Sequence, residues 1–163
     1  MGDEVYIHWE KSYEIGNPLI DVEHRLLMML FRKLDIAIKT GESGVTVVRI
    51  LNEIKKFADF HFASEENLMH EVAYPDVVHH EVLHSRLLAQ LEVTIGRISK
   101  KRELPDDLLF FLNKWVLEHI AREDQKIANF VQNSPKRPVA ELIYPEYLGP
   151  LVFTDSPEEA DNG

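Results

Sequence analysis

The sequence of 163 residues contains no cysteine. Disulfide bonds, thiolate metal ligands and cysteine nucleophiles are therefore all excluded, and the composition is compatible with a reducing compartment such as the cytoplasm. Any metal ion that the chain binds has to be held by nitrogen and oxygen atoms.

Basic residues and long apolar runs are also scarce. The 18 Lys and Arg residues face 28 Asp and Glu residues, so the formal net charge is −10, which opposes binding to nucleic acid and to anionic membrane surfaces. No run approaches the roughly 18 apolar residues of a membrane-spanning helix, and the acidic N-terminus lacks the basic start and apolar stretch of a secretory signal. We therefore expect a cytoplasmic protein that binds neither nucleic acid nor membrane.

Four long segments instead carry apolar residues at intervals of three and four, the pattern of amphipathic helices. Asn17 and Pro18 are typical of an N-cap and a first helical position, and Asp76 is a good N-cap for the third segment. The segments cover about residues 18–41, 46–73, 77–98 and 105–132. Because the loops between them are short, the sequence predicts an all-α protein, an up-and-down antiparallel four-helix bundle.

Both ends of the chain differ from the helical segments. Residues 1–16 carry Tyr6, Trp9 and Tyr13 without a helical period, which indicates an extended arm that lays its aromatic rings over the bundle. Five of the eight prolines lie after residue 134, and the last ten residues include four acids and no base. We predict a bundle domain over residues 1–133 and a proline-rich, acidic C-terminal extension over residues 134–163, which could dock on the bundle or on a partner protein.

Residues of metal-ligand type lie on the apolar stripe of every predicted helix. A single histidine pair four residues apart would be a weak signal, because interior histidines often hydrogen-bond to backbone. Here, however, carboxylates would be buried with no basic residue on the same stripes, at a cost of several kcal/mol each, and a metal would remove that cost. The candidate ligands are His24, His61, Glu65, His80, His84, His119 and Asp124.

The number of these ligands favours two ions. Five imidazoles and two carboxylates exceed what one four-coordinate zinc needs and are enough for two ions that share the carboxylates, a mixture that suits iron. If one ion takes three histidines and the other takes two, the second ion keeps a vacant position.

For several residues near the candidate ligands, spacing alone does not decide whether the side chain faces inward. His119 and Asp124 are five residues apart, about 140° around a regular helix, so that Asp124 either reaches inward from the edge of the stripe or lies in a π-bulge. His79 is expected to be partly exposed or to support a ligand from outside the metal site, whereas His70 and His8 are expected to be exposed to solvent. Glu66 is expected to face outward, because only Glu65 lies four residues after His61.

Residues 6–132 resemble the hemerythrin family, and the bacterial hemerythrins in particular. The resemblance is carried by Trp9 in the arm and by the stretches IDVEH, HFASEENLM, YPDVVHHEVLH and WVLEHIAREDQ. It implies two non-haem iron ions, bridged by both carboxylates and by an oxo or hydroxo group, with dioxygen as the ligand. In that arrangement His80, His84 and His119 would hold one iron, His24 and His61 would hold the iron that binds dioxygen, and Glu65 and Asp124 would be the bridges.

The resemblance also implies a function, reversible binding of dioxygen for storage, transport or delivery, and no enzymatic activity. Apolar side chains are needed to keep the oxygen site dry, and five candidates lie near the ligands: Leu27, Phe57, Trp115, Val116 and Ile120. An oxygen or redox sensor that signals through the arm or the C-terminal tail is the main alternative. A di-iron peroxidase or oxygenase is a further alternative, but it would need a substrate pocket and a group that assists cleavage of the O–O bond.

Overall fold

The computed structural model describes residues 9–101 and 104–138 of the chain. These residues form helices and connecting turns, without any strand in the two ranges. The helices are α1 (Pro18–Lys39), α2 (Gly44–Glu71), α3 (Val77–Lys101), α4 (Leu108–His119) and α5 (Gln125–Gln132), and a π-helical segment, Ile120–Asp124, joins α4 to α5. The last three elements together make the fourth helix of an all-α four-helix bundle, as predicted.

The helix ends follow from local hydrogen bonds. The Asn17 side chain accepts a hydrogen bond from the backbone N–H of Ile20, which confirms Asn17 as the N-cap of α1. Ser43 caps α2 in the same way, so that α2 begins at Gly44, two residues before the predicted start. Gly41 ends α1 with a φ of 75°, a left-handed conformation that glycine adopts without steric cost.

Neighbouring helices run antiparallel, as ion pairs and hydrogen bonds between them show. Lys33 of α1 pairs with Glu53 of α2 at 2.7 Å, and Lys55 of α2 pairs with Glu92 of α3 at 2.9 Å. The Trp115 indole N–H donates to the backbone carbonyl of Leu87, which ties α4 to α3 at 2.7 Å.

Two apolar clusters fill the bundle, one on each side of a polar layer. On α1, for example, Ile20 belongs to one cluster and Leu27 to the other, and both are fully buried. His24 lies between them in the sequence and is itself completely buried. The same order holds on α2, where Phe62 belongs to one cluster and Leu68 to the other. The polar layer between the clusters contains the candidate ligands.

The described part of the N-terminal arm is fixed to the bundle. Residues Lys11–Tyr13 form a single 3-10 turn, and Tyr13 is buried. The Trp9 ring lies under the Arg25 guanidinium at 4.4 Å, a cation–π contact. The Gln125 side chain donates to two backbone carbonyls of the arm, those of residues 12 and 14, both at 3.0 Å. The arm therefore contacts both α1 and α5.

Some sequence predictions concern residues beyond the described ranges. Tyr6 and His8 of the arm lie outside them, as do residues 139–163 of the predicted C-terminal extension. In the part of the chain that the structure describes, none of the helices combines the length and apolar character that crossing a bilayer would require.

Candidate metal centre

The polar layer brings all seven predicted ligands together in the interior. Their donor atoms form two groups, in each of which all atoms lie within 4.8 Å of one another. The three-histidine group consists of His80, His84, His119, Glu65 and Asp124, and the two-histidine group consists of His24, His61, Glu65 and Asp124. Both carboxylates thus belong to both groups.

Glu65 divides its two oxygens between the groups. Its Oε1 lies 3.5 Å from Nε2 of His24 and 3.5 Å from Nε2 of His61. Its Oε2 lies 3.7 Å from Nε2 of His80 and 3.1 Å from Nε2 of His84. One carboxylate oxygen therefore faces each group, which is the arrangement of a bridging ligand.

Asp124 repeats this arrangement from the fourth helix. Its Oδ2 lies 3.4 Å from Nε2 of His24, whereas its Oδ1 lies 3.4 Å from Nε2 of His80 and 3.1 Å from Nε2 of His119. The π-helical segment Ile120–Asp124 makes this possible, because its wider turn compensates for the five-residue spacing. Of the two possibilities left open by the sequence, the π-bulge is the one that the structure contains.

Unsatisfied polar atoms show that this donor set fits metal ions. Both oxygens of Glu65 and Asp124 are buried without a hydrogen-bond partner, and so are the Nε2 atoms of His24 and His61. Buried groups of this kind are costly unless they are paired or coordinate a metal. The Nε2 atoms of the three-histidine group also approach each other, at 3.1 Å and 3.2 Å. A cation in each group would satisfy all of these atoms.

The electrostatics of the site without metal lead to the same conclusion. Burial by itself would lower the pKa of His24, but the carboxylates of Asp124 and Glu65, at 3.4 Å and 3.5 Å, outweigh it and raise that pKa to about 10. The same competition raises the pKa of His80 to about 9. Burial would raise the pKa of Glu65, yet the surrounding imidazoles, His61 first, hold it well below its usual range. The pKa of Asp124 is likewise lowered. The carboxylates thus remain anionic and require positive charge nearby.

The outer nitrogens of three candidate ligands donate to oxygen atoms. His24 Nδ1 donates to the backbone carbonyl of Tyr13 in the arm at 2.8 Å. His61 Nδ1 donates to Glu23 at 2.8 Å, and His84 Nδ1 donates to Glu66 at 2.9 Å. A metal-bound imidazole is neutral and carries a single N–H, so each of these bonds would hold that proton on Nδ1 and leave Nε2 for the metal.

Glu23 and Glu66 are functional candidates that the sequence analysis missed. The prediction that Glu66 faces outward is wrong, because its carboxylate turns toward α3 and bonds to His84. The only sequence signal for either residue is that each stands beside a predicted ligand, Glu23 before His24 and Glu66 after Glu65. By contrast, His70 is exposed and pairs with Glu81, as expected for a histidine outside the site.

The five predicted pocket residues belong to one apolar cluster of the bundle or pack against it, and their role at an oxygen site stays a prediction. Leu27, Val116 and Ile120 are completely buried, and Trp115 is nearly so. Phe57 is half-buried and packs against the same cluster. One further ring was not predicted: Phe62 stacks on the His84 ring at 3.9 Å, with an angle of 8° between the planes.

A helical bundle with two adjoining groups of buried imidazoles and shared carboxylates is of a class whose interior is able to bind metal ions. Comparison with known families agrees with this class. The family model described as the hemerythrin HHE cation binding domain matches residues 16–131. Because the match spans well over half of the chain, the protein belongs to this family.

Similar proteins cover most of the chain. A bacteriohemerythrin of Stenotrophomonas maltophilia is 28% identical over 124 residues, which are 76% of this chain and 80% of the relative. A bacteriohemerythrin of Campylobacter jejuni is 25% identical over 129 residues, 78% of this chain and 97% of the relative. A crystal structure of wild-type hemerythrin superimposes with a TM-score of 0.67 at 21% identity and covers 76% of this chain and 97% of its own. At that identity the solved structure establishes the fold.

Proposed function

We propose that the chain binds dioxygen reversibly at a pair of iron ions, for oxygen storage, transport or delivery. The observation that carries this proposal is the unequal number of imidazoles, three in one group and two in the other, around two shared carboxylates. With the same bridges, the ion in the two-histidine group would have one protein ligand fewer and could accept a small molecule. When bound, the iron pair would supply the electrons that dioxygen takes up and would receive them back on its release.

The surrounding residues of the chain favour binding over chemical conversion. Leu27, Val116 and Ile120 are completely buried, each within one helical turn of a candidate ligand in the sequence, and they would exclude water from the site. Their hydrocarbon side chains offer no proton that could assist cleavage of an O–O bond. The names of the relatives, bacteriohemerythrins, support the same assignment by analogy.

The decisive experiment is anaerobic loading of the full chain with ferrous iron, followed by titration with oxygen. We expect two irons per chain and a visible charge-transfer spectrum that appears with oxygen and disappears when oxygen is removed. His61→Ala should abolish the spectral change, because it removes a ligand of the two-histidine group. His79→Ala is the matched control, since His79 adjoins His80 but is exposed. A lone bound metal, irreversible oxidation or steady substrate turnover would contradict the proposal.

One observation favours a sensor as the second candidate. The arm contacts the site directly, through the hydrogen bond from His24 to the Tyr13 carbonyl. A change in the ligation of His24 could therefore alter the arm. If proteases cleave the arm at equal rates with and without oxygen, the basis for signalling through the arm is lost. If deletion of residues 135–163 leaves partner binding unchanged in both states, the basis for signalling through the tail is lost.

A further inference from the structure

Two consecutive glutamates of α2 contact the two ring nitrogens of one histidine on α3. His84 Nε2 lies 3.1 Å from Oε2 of Glu65, the shared carboxylate. His84 Nδ1 lies 2.9 Å from Oε1 of Glu66, on the opposite side of the ring. Glu66 is therefore placed to control which nitrogen carries the proton, although it is not itself in either ligand group.

The plane of the same ring is fixed by Phe62, one turn earlier on α2. Phe62 stacks on His84 at 3.9 Å with nearly parallel planes. Stacking restricts the tilt of the ring but leaves rotation within its plane open. The hydrogen bond to Glu66 restricts that rotation, because Nδ1 has to point at the carboxylate. Phe62 and Glu66 together leave the Nε2 atom of His84 one direction, toward the three-histidine group.

The position of the His84 proton affects metal binding because the Nε2 atoms of the three-histidine group lie close together. His84 Nε2 lies only 3.1 Å from His119 Nε2. If the proton moved to Nε2 of His84, that nitrogen could donate to His119 or to Glu65, and it could not bind a metal. An anionic acceptor at Nδ1 opposes this tautomer and also increases the electron-donating strength of the ring.

We propose that Glu66 is a positioning residue that fixes the tautomer and orientation of His84 and thereby sets the metal affinity of the three-histidine group. This inference rests on the metal-binding part of the proposed function and does not depend on dioxygen. Outer carboxylates of this kind typically change metal affinity by about 10- to 100-fold. The effect should be confined to one of the two metal sites.

Glu66 can be substituted with less risk to the fold than Glu23, the other glutamate that bonds to a candidate ligand. Glu23 supports His61 in the two-histidine group, but it is buried and also accepts a hydrogen bond from Ser64 at 2.9 Å. Its removal would leave an ion-pair partner and a partly buried hydroxyl without their acceptor in the interior and disturb the fold. The side chain of Glu66 is 31% exposed, so that water can replace it and the bundle remains folded.

The test is cobalt(II) binding to the full chain, measured by competition with a chelator and by the visible spectrum. Glu66→Ala should weaken one of two cobalt sites by about 10- to 100-fold and leave the other unchanged. Glu66→Gln, which keeps an oxygen acceptor but loses the charge, should weaken it less. Asp59→Asn removes one exposed charge from the same helix and is the control, with no expected change.

A second measurement separates positioning from a general loosening of the fold. In zinc-loaded protein, the NMR signals of the His84 ring should report a protonated Nδ1 that exchanges slowly with solvent, and Glu66→Ala should accelerate this exchange while the Nδ1 proton of His61 is unaffected. Equal cobalt affinities in the wild type and Glu66→Ala, or equal weakening of both sites, would overturn the inference about Glu66 alone. Failure of the wild type to bind cobalt would overturn the metal-binding proposal as well, and failure of reversible oxygenation would overturn only the oxygen function.

Discussion

Removal of the metal should destabilise the folded protein by a measurable amount. Without metal, the charges of Glu65 and Asp124 stay in the interior, and none of their four oxygens has a hydrogen-bond partner. Protons on His24 and His80, whose pKa values are raised to about 10 and about 9, offset part of this cost. The remainder should be comparable to that of a broken buried ion pair, about 3 to 5 kcal/mol. For a chain of this size, such a loss lowers the unfolding temperature by roughly 6 to 20 °C.

The assay is thermal unfolding, followed by circular dichroism, of anaerobically iron-loaded and chelator-treated protein. The pH dependence provides an internal check. Because the folded-state pKa values of His24 and His80 are raised, their stabilisation of the metal-free protein is fully present below about pH 6.5 and is lost as the pH rises through about 9 and 10. In loaded protein the metal replaces these protons, so that the difference in unfolding temperature should widen between pH 7 and pH 10. Equal unfolding temperatures at pH 7, or a difference that narrows with pH, would refute this reasoning.

Three further predictions concern the framework of the site. Trp115→Phe removes the hydrogen bond to the Leu87 carbonyl and should lower the free energy of unfolding by about 1 kcal/mol in urea titrations; an unchanged midpoint would contradict that contribution. Asn17→Ala removes the N-cap of α1 and should cost about 1 kcal/mol, whereas Asn17→Asp, which can still cap, should cost less. Gln125→Ala removes two hydrogen bonds to the arm, so that proteases should cleave the arm faster while the helical circular dichroism is unchanged.

The candidate ligands could be predicted from the sequence because two independent requirements coincide at them. His61 and Glu65, for example, lie on an apolar stripe, which indicates burial, and they are groups that are costly to bury without a partner. The apolar periodicity therefore predicted the helices and their inward faces. The chemistry of the polar residues on those faces indicated a metal site. The structure places the seven predicted side chains in two groups that share both carboxylates.

The remaining features depend on distances between helices, which periodicity does not contain. Glu66 lies off the inward stripe of α2, and it contacts His84 only because α3 packs beside that edge of the helix. Similarly, the His24 ring donates to a backbone carbonyl of the arm, and any residue at position 13 supplies such a carbonyl. The five-residue interval before Asp124 left two possibilities, an approach from the edge of the stripe or a π-bulge, and only backbone geometry could decide between them.

The π-helical segment also determines how the fourth helix tolerates changes in its length. A π-helical turn takes up about one residue more than an α-helical turn, so that Ile127 and Ala128 of α5 still face the interior beyond Ile120–Asp124. One further residue inserted after Asp124 would not be taken up in this way and would rotate α5 by about 100°, which would turn both buried side chains away from the interior. An insertion at this point should therefore be tolerated far less well than a substitution.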